Sequence, residues 1–275
     1  MVAACPFANC LQEKLMEHTT SINTIARHIS ESRRILFITG AGISADSGLP
    51  TYRGLGGMYN DNLTEDGIPV EQALAAKMLK IDPSVSWKYL MRIEESCRHA
   101  TFNRAHEVIA LLEQHKPDTW VLTQNIDGFH RQAGSHNLVE IHGRYTDLRC
   151  MDCDFKQSVE NYAHFTDFPP RCPQCHEGIL RPGVVLYGET LPMGDIVTIQ
   201  HQLRLGFDMV ITIGTSNQFP YITEPVLQVK RRGGVTVEIN PQPTVLSDVV
   251  DHFLPLGAAE AMERIWRAVE PTLGG

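Results

Sequence analysis

The stretch Ile35-Leu-Phe-Ile-Thr-Gly40-Ala-Gly42-Ile-Ser44-Ala-Asp-Ser-Gly48-Leu-Pro-Thr51-Tyr52-Arg53 decides the fold. It begins as an apolar, partly β-branched run and breaks into glycines, the pattern of a buried strand entering a tight turn. Gly40-x-Gly42-x-x-Ala45 has the spacing of a turn that cradles a pyrophosphate, with Ala at the third glycine position. By itself that spacing describes a plain glycine turn equally well. The continuation is more informative. Gly48, Pro50, Tyr52 and Arg53 interrupt what would otherwise run on as a long helix. A dinucleotide bound here is therefore expected to be held differently from the cofactor of a hydride-transferring dehydrogenase.

Working outward, three further apolar runs end in polar or glycine residues. They are Trp120–Thr123 before Gln124-Asn-Ile-Asp127, Asp208–Ile213 before Gly214-Thr215-Ser216, and Val235–Ile239 before Asn240. Helical spacing occupies 105–114 and about 258–269. Apolar strands alternating with helices predict a parallel sheet covered on both faces, an α/β, Rossmann-like domain. Ligands bind such sheets at the carboxyl ends of the strands, where all these polar clusters fall. The expected domain is discontinuous, built from 35–53, 105–143 and 183–269, behind an N-terminal lead-in of 1–34. The 54–104 segment reads as a helical insertion that opens with a mobile loop at Gly54-Leu-Gly-Gly57.

A second insertion, 144–182, has no helical rhythm and carries Cys150-x-x-Cys153 and Cys172-x-x-Cys175, 18 residues apart. Two knuckles at that spacing predict one tetrahedral Cys₄ zinc ribbon. Four thiolates leave no open coordination position, so the zinc is expected to be structural. His176, beside the second knuckle, is an alternative ligand. The other three cysteines, Cys5, Cys10 and Cys97, do not suggest a disulfide framework.

The formal net charge of −8 argues against non-specific binding to nucleic acid or anionic membrane and suits a basic protein tail as partner. The sequence has no apolar run of about 18 residues or more, and the first residues do not read as a targeting segment. A cytoplasmic protein is expected. Oligomeric state is not legible.

Several polar residues have roles that follow from position. Backbone N–H groups at Gly40–Ser44 could cradle phosphates at a helix N-terminus, with Arg53 adding charge. Asn125 and Asp127, at a strand end, could hold a carboxamide or an ordered water, or simply cap the turn that follows. Val139-Glu-Ile141 reads as a short strand that delivers His142, an imidazole suited to take a proton near neutral pH, and Gly143 would let a substrate approach. Val184-Val185-Leu-Tyr187-Gly188 is an extended run along which a peptide could add as a strand.

Taken together, Gly40–Arg53, Thr123–Asp127, Glu140-Ile-His142-Gly143, the two Cys pairs, Pro182–Glu189, Gly214-Thr-Ser216 and Glu238-Ile-Asn240 resemble the sirtuin (Sir2) family, in the family's order, over roughly 35–260. The resemblance implies NAD-dependent removal of acyl groups from protein lysines, with His142 as base and Asn125 and Asp127 assisting. It places Gly40, Ala41, Gly42, Ser44, Thr51, Tyr52, Arg53, Gln124, Asn125, Ile126, Asp127, Gly214, Thr215, Ser216, Asn240 and Ala259 along the NAD site. It assigns Val184, Val185, Tyr187 and Gly188 to the acyl-lysine substrate.

In the family reaction the acyl oxygen attacks C1′ of the nicotinamide ribose and nicotinamide leaves. The base then helps the 2′-hydroxyl attack the resulting carbon, and water releases lysine and an O-acyl-ADP-ribose. Tyr89 and Arg92 resemble the pair that recognises succinyl and malonyl groups, in the branch of the family that removes acidic acyl groups. Helical spacing offers the other reading, with Tyr89 in the core and Arg92 solvated. The chain departs from the family at Thr51-Tyr52, more often Asp-Phe, at Tyr187, usually Phe, and at Asn217–Pro220, one residue short. Competing readings are a protein mono-ADP-ribosyltransferase using the same NAD site and a non-catalytic zinc-ribbon or NAD-sensing module.

Overall fold

The structure, a computed structural model, describes residues 6–51 and 63–273, with 6–17 as backbone only. A long helix α1 (Pro6–Glu31) leads into strand β1 (Ile35–Thr39). Helices α2 (Val70–Ala73), α3 (Ala76–Ile81), α4 (Pro83–Arg98) and α5 (Arg104–His115) follow, then β2 (Thr119–Thr123), a short α6 (Phe129–Gln132) and β3 (Leu138–Glu140). Strands β4 (Gly143–Cys150), β5 (Lys156–Ser158) and β6 (Leu180–Val184) make a small module. The chain then returns through α7 (Met193–Leu205), β7 (Met209–Ile213), α8 (Pro220–Arg231), β8 (Val235–Ile239), β9 (His252–Leu254) and α9 (Ala258–Val269).

Six strands pair in the order β3-β2-β1-β7-β8-β9, all parallel. Counted along this sheet alone, that is the 3-2-1-4-5-6 order of a dinucleotide-binding fold. The order reverses beside β1, so the crevice at the carboxyl ends of β1, β2 and β7 is the ligand position the topology favours.

Alternation along β1 divides the core. Ile35 and Phe37 face α1, α5 and α9, meeting Ile25, Ile29, Ile109 and Ile265. Leu36 and Ile38 face α7 and α8, meeting Leu203, Ile222 and Val226. Side chains start two of the helices. Asp82 accepts from Ser84 N (3.2 Å) with Pro83 in the first turn of α4. Asn103 accepts from Ala105 N (2.9 Å) while His106 Nδ1 accepts from Asn103 N (3.3 Å), a capping box with His in the usual place of Glu.

The two insertions share a third core. Trp87 of α4 is fully buried, donates to Leu180 O of β6 (3.1 Å) and packs on Tyr162 and Phe168. They are separate in sequence, but Trp87 makes them one packing unit. Among the described residues no helix is long and apolar enough to cross a membrane.

Candidate active site and metal centre

The glycines after β1 have a packing duty. The Gly40–Ser44 turn, expected at a helix N-terminus, opens a 3₁₀ helix, Ala41–Ser47, which ends at Gly48, where φ is +84°. Gly40 N donates to Ile213 O (3.1 Å) and Gly42 N to Gly214 O (2.8 Å). A Cβ on Gly42 would lie 2.6 Å from Gly214 Cα, and one on Gly40 2.9 Å from Gly214 O. The turn after β1 and the turn after β7 therefore lie backbone on backbone, a contact open only to glycine on both sides.

Beside this contact Ser44 Oγ donates to Asp127 Oδ2 (2.7 Å), and Asn125 Nδ2 donates to Gly40 O (3.1 Å) and Ser44 Oγ (3.1 Å). Asp127 Oδ1 also accepts from Phe129 N (3.0 Å), so the turn-capping alternative holds as well. Burial pushes the Asp127 carboxyl above its ordinary range, against the pull of these donors. The three side chains form the polar end of a cleft whose other walls include Ala41, Leu49, Pro50, Ile93, Ser96, Cys97 and Ile126. The α4 wall was not foreseen; its only sequence signal is the helical spacing of Ile93, Ser96 and Cys97. The Cys97 thiol is pushed up to about 12 by burial and then by Asp127, so it lines the wall as an apolar group.

His142 follows β3. Its Nδ1 lies 2.8 Å from Gln124 O, and its Nε2 2.8 Å from the hydroxyl of Tyr221. A carbonyl can only accept, so Nδ1 carries the hydrogen and Nε2 presents a lone pair. Burial holds the imidazole below its ordinary pKa, against the Gln124 carbonyl, keeping it neutral and basic near pH 7. Tyr221 was not foreseen. It lies just past the shortened Asn217–Pro220 segment, and only the fold brings it to His142.

The φ of Gly143 is +73°, and what approaches it is the Gly183 carbonyl of β6, leaving a Cβ no room. The close β4–β6 join is what requires a glycine there.

Gln124 Nε2 donates to Thr215 Oγ1 (2.8 Å), and Asn240 Nδ2 to Thr215 O (3.0 Å), which ties the ends of β2, β7 and β8 together. Ser216 is exposed next to them and Ala41, Thr51 and Gly214 are half-buried. Ala259 N is taken by Asp46 Oδ2 (2.8 Å), a link between the 3₁₀ segment and α9. Tyr52, Arg53 and the Gly54–Gly57 loop lie outside the described residues.

The run after β6 is more occupied than a free strand edge. Val185 N donates to His142 O (2.9 Å), Tyr187 N to Leu74 O (3.1 Å), and Ala76 N to Tyr187 O (3.0 Å). Leu186 closes a turn with Glu189, whose carboxylate also pairs with Arg181 at 2.6 Å. Val184 is engaged as well: its carbonyl accepts from Arg181 Nη2 (2.7 Å), and it pairs with Gly143 across the β4–β6 join.

Tyr89 is 5% exposed and bonds through its hydroxyl to Asp66 (2.5 Å), and Arg92 pairs with Glu65 (2.7 Å). Both side chains therefore have acidic partners in the segment before α2. The cleft walls are the residues one turn on, not this pair.

In the metal centre all four Sγ atoms lie within 4.8 Å of one another, with Cys150–Cys175 and Cys153–Cys172 both at 3.7 Å. Sulfurs about 2.3 Å from a central zinc would be about 3.8 Å apart in a tetrahedron, so the set fits. Asp152 N (3.3 Å) and Gly178 N (3.4 Å) point at Cys150 and Cys175 sulfurs, as outer partners of a thiolate site do. His176 is not in the cluster.

The comparisons agree with this geometry. The Sir2 family profile matches residues 40–220. A Pseudomonas aeruginosa protein called NAD-dependent protein deacylase 2 is 49% identical, over 91% of this chain and 98% of its own length. NAD-dependent protein deacylase 1 of Archaeoglobus fulgidus is 35% identical, over 90% and 98%. The crystal structure of a Sir2 homologue–NAD complex superposes with a TM-score of 0.82 at 33% identity, covering 91% of this chain and 94% of that one. A Sir2–p53 peptide–NAD⁺ structure gives 0.76 at 27% identity, covering 89% and 96%. With a sheet order, a glycine contact, a histidine and a Cys₄ centre that all agree with these matches, the chain belongs to the Sir2 family.

Proposed function

We propose that the protein removes acyl groups from lysine side chains of proteins or peptides with consumption of NAD, releasing nicotinamide and an O-acyl-ADP-ribose. The observation that carries this is the tie from His142 to Gln124, the residue before Asn125. The base is fixed to the backbone segment that supplies the polar end of the cleft. NAD would lie along the ends of β1, β2, β7 and β8, its nicotinamide toward Ser44, Asn125 and Asp127.

These side chains position groups and exclude water; none is a strong nucleophile. That suits a reaction whose attacking atom comes from the acyl substrate. His142 takes the proton of a ribose hydroxyl on its Nε2. Zinc, held by the four cysteines, supplies structural closure and no open coordination site. Transfer of ADP-ribose to a protein would need an acceptor at the ribose carbon but no base for a ribose hydroxyl, and the held His142 favours deacylation over it. Acyl preference is read from α4. With Arg92 engaged by Glu65, a carboxylate on the acyl chain would have to displace that partner.

The test is His142→Ala, assayed with an acetyl-lysine peptide. NAD binding should persist, and so should exchange of labelled nicotinamide, because nicotinamide leaves before the base is needed. Peptide turnover should fall on the order of 10²–10⁴, the usual worth of a general base. Near-wild-type turnover would remove His142 from the mechanism.

A further inference from the structure

The lone pair that His142 needs for catalysis is already in use. Nδ1 carries the hydrogen, so Nε2 has one acceptor site, and the Tyr221 hydroxyl donates to it across 2.8 Å. The two rings stand at 74° with centroids 6.0 Å apart, an edge-on approach consistent with a hydrogen bond through the tyrosine hydroxyl. A substrate hydroxyl has two routes to this nitrogen. It displaces Tyr221, or it hands its proton through Tyr221.

The surroundings favour the second route, because Tyr221 is held from several sides. Pro220 begins α8 and fixes its entry, and Ile222, the next residue, is wholly buried beside Val226. On the open side the Phe219 ring stacks on Tyr221 at 16°, centroids 5.4 Å apart. The loop before Phe219 is pinned too. Asn217, at φ +53°, donates from Nδ2 to the buried Glu238 (3.1 Å) and to Thr244 (2.9 Å). A tyrosine fixed this way is poorly placed to swing aside, and its oxygen keeps a free lone pair to receive a proton.

We infer that Tyr221 is a proton relay between the ribose hydroxyl and His142. The inference rests on the reading of His142 as base. As the ribose oxygen bonds to the acyl-derived carbon, its O–H bond breaks and that proton passes to Tyr221 Oη. The proton of Tyr221 passes at the same time to His142 Nε2. Tyr221 ends as a neutral phenol and His142 as an imidazolium, so protons and charge balance without a further reactant. Burial, with the nearby Tyr187, pushes the Tyr221 phenol up to about 12, so it is protonated and ready to donate across the neutral range.

The experiment is Tyr221→Phe in the full-length protein, which keeps the ring and its stack on Phe219. Two rates are measured, peptide deacylation and exchange of labelled nicotinamide into NAD, in the wild type and in the His142→Ala background. A relay predicts that deacylation kcat falls about tenfold to a hundredfold, toward the range of a lost proton-transfer group, with exchange and both KM values within about twofold. It also predicts that Tyr221→Phe costs nothing more once His142 is alanine, since coupled residues are not additive. Unchanged deacylation, or a rise in kcat/KM, would show a hydroxyl that substrate displaces and would overturn the relay. Deacylation and exchange falling together would show a structural role and overturn it as well. If His142→Ala deacylates normally, the base assignment itself fails, an outcome distinct from both.

Discussion

At Gly143 the backbone holds φ at +73° and meets the Gly183 carbonyl of the neighbouring strand with no room for a side chain. Two costs would combine in Gly143→Ala. A left-handed backbone costs an L-residue about 1–2 kcal/mol, and the clash must be relieved by shifting β6. We expect a loss of at least ~2 kcal/mol, roughly 4–8 °C in Tm for a chain of this size. Activity should fall too, because Val185 N bonds to the carbonyl of His142 and moves with β6. Thermal melts with parallel assays check this, and an unchanged Tm would refute the backbone account. The sequence marks Gly143 as special but not why. A glycine that admits a ligand and one that admits another strand look the same until the strand is placed. Tyr221 was hidden for a related reason. It bonds to a histidine 79 positions away, and nothing local in Pro220-Tyr221-Ile222 announces it.

Elements were more legible than contacts. The apolar runs at 35–39, 120–123, 208–213 and 235–239 coincide closely with β1, β2, β7 and β8, since a strand buried on both faces must be apolar throughout. The short edge strand β9, three residues long, has no such signature. The zinc ribbon was legible because four cysteines at knuckle spacing have little other use in such a chain. Its partnership with α4 was not, because Trp87 could have packed anywhere. That partnership has a consequence. Zinc holds the knuckles, the knuckles hold Leu180 and Phe168, these hold Trp87, and about two and three turns beyond Trp87 on the same helix Ile93 and Cys97 wall the cleft. Cys172→Ser should therefore lose the metal, lose near-ultraviolet circular dichroism from the buried aromatic cluster and bind NAD more weakly, although no cysteine of the centre lines the cleft. Metal analysis, dichroism and NAD titration on one preparation test the chain of contacts. Zinc-free protein with native dichroism and NAD affinity would break it.

For the molecule as a whole, two histidines inside the main domain link stability to pH. His106 of α5 is wholly buried with its Nε2 unpartnered among the described protein atoms. His130 of α6, 2% exposed, lies 4.8 Å from it, ring to ring, with Nδ1 likewise unpartnered. Burial lowers His106 to about 3, and burial with the neighbouring His106 drives His130 well below its ordinary value. In the unfolded chain each takes up a proton below about 6.5, while the folded protein refuses it. The unfolded state then binds more protons, so stability rises with pH and is lost as pH falls below that value. From pH 6.5 to 5 the His106 contribution is roughly 2 kcal/mol at 1.36 kcal/mol per pH unit. This window lies above the range of ordinary carboxylates. Asp127, raised by burial, acts in the opposite sense but is common to any pair of variants compared. Urea unfolding of the wild type and His106→Gln at pH 7.5 and 5.0 isolates the effect. The variant should be less stable at pH 7.5, because the capping contact with Asn103 is disturbed, yet should lose about 2 kcal/mol less than the wild type on going to pH 5.0. Equal losses would mean that His106 takes its proton in the folded protein as readily as in the unfolded one, and the acid sensitivity would have to come from elsewhere.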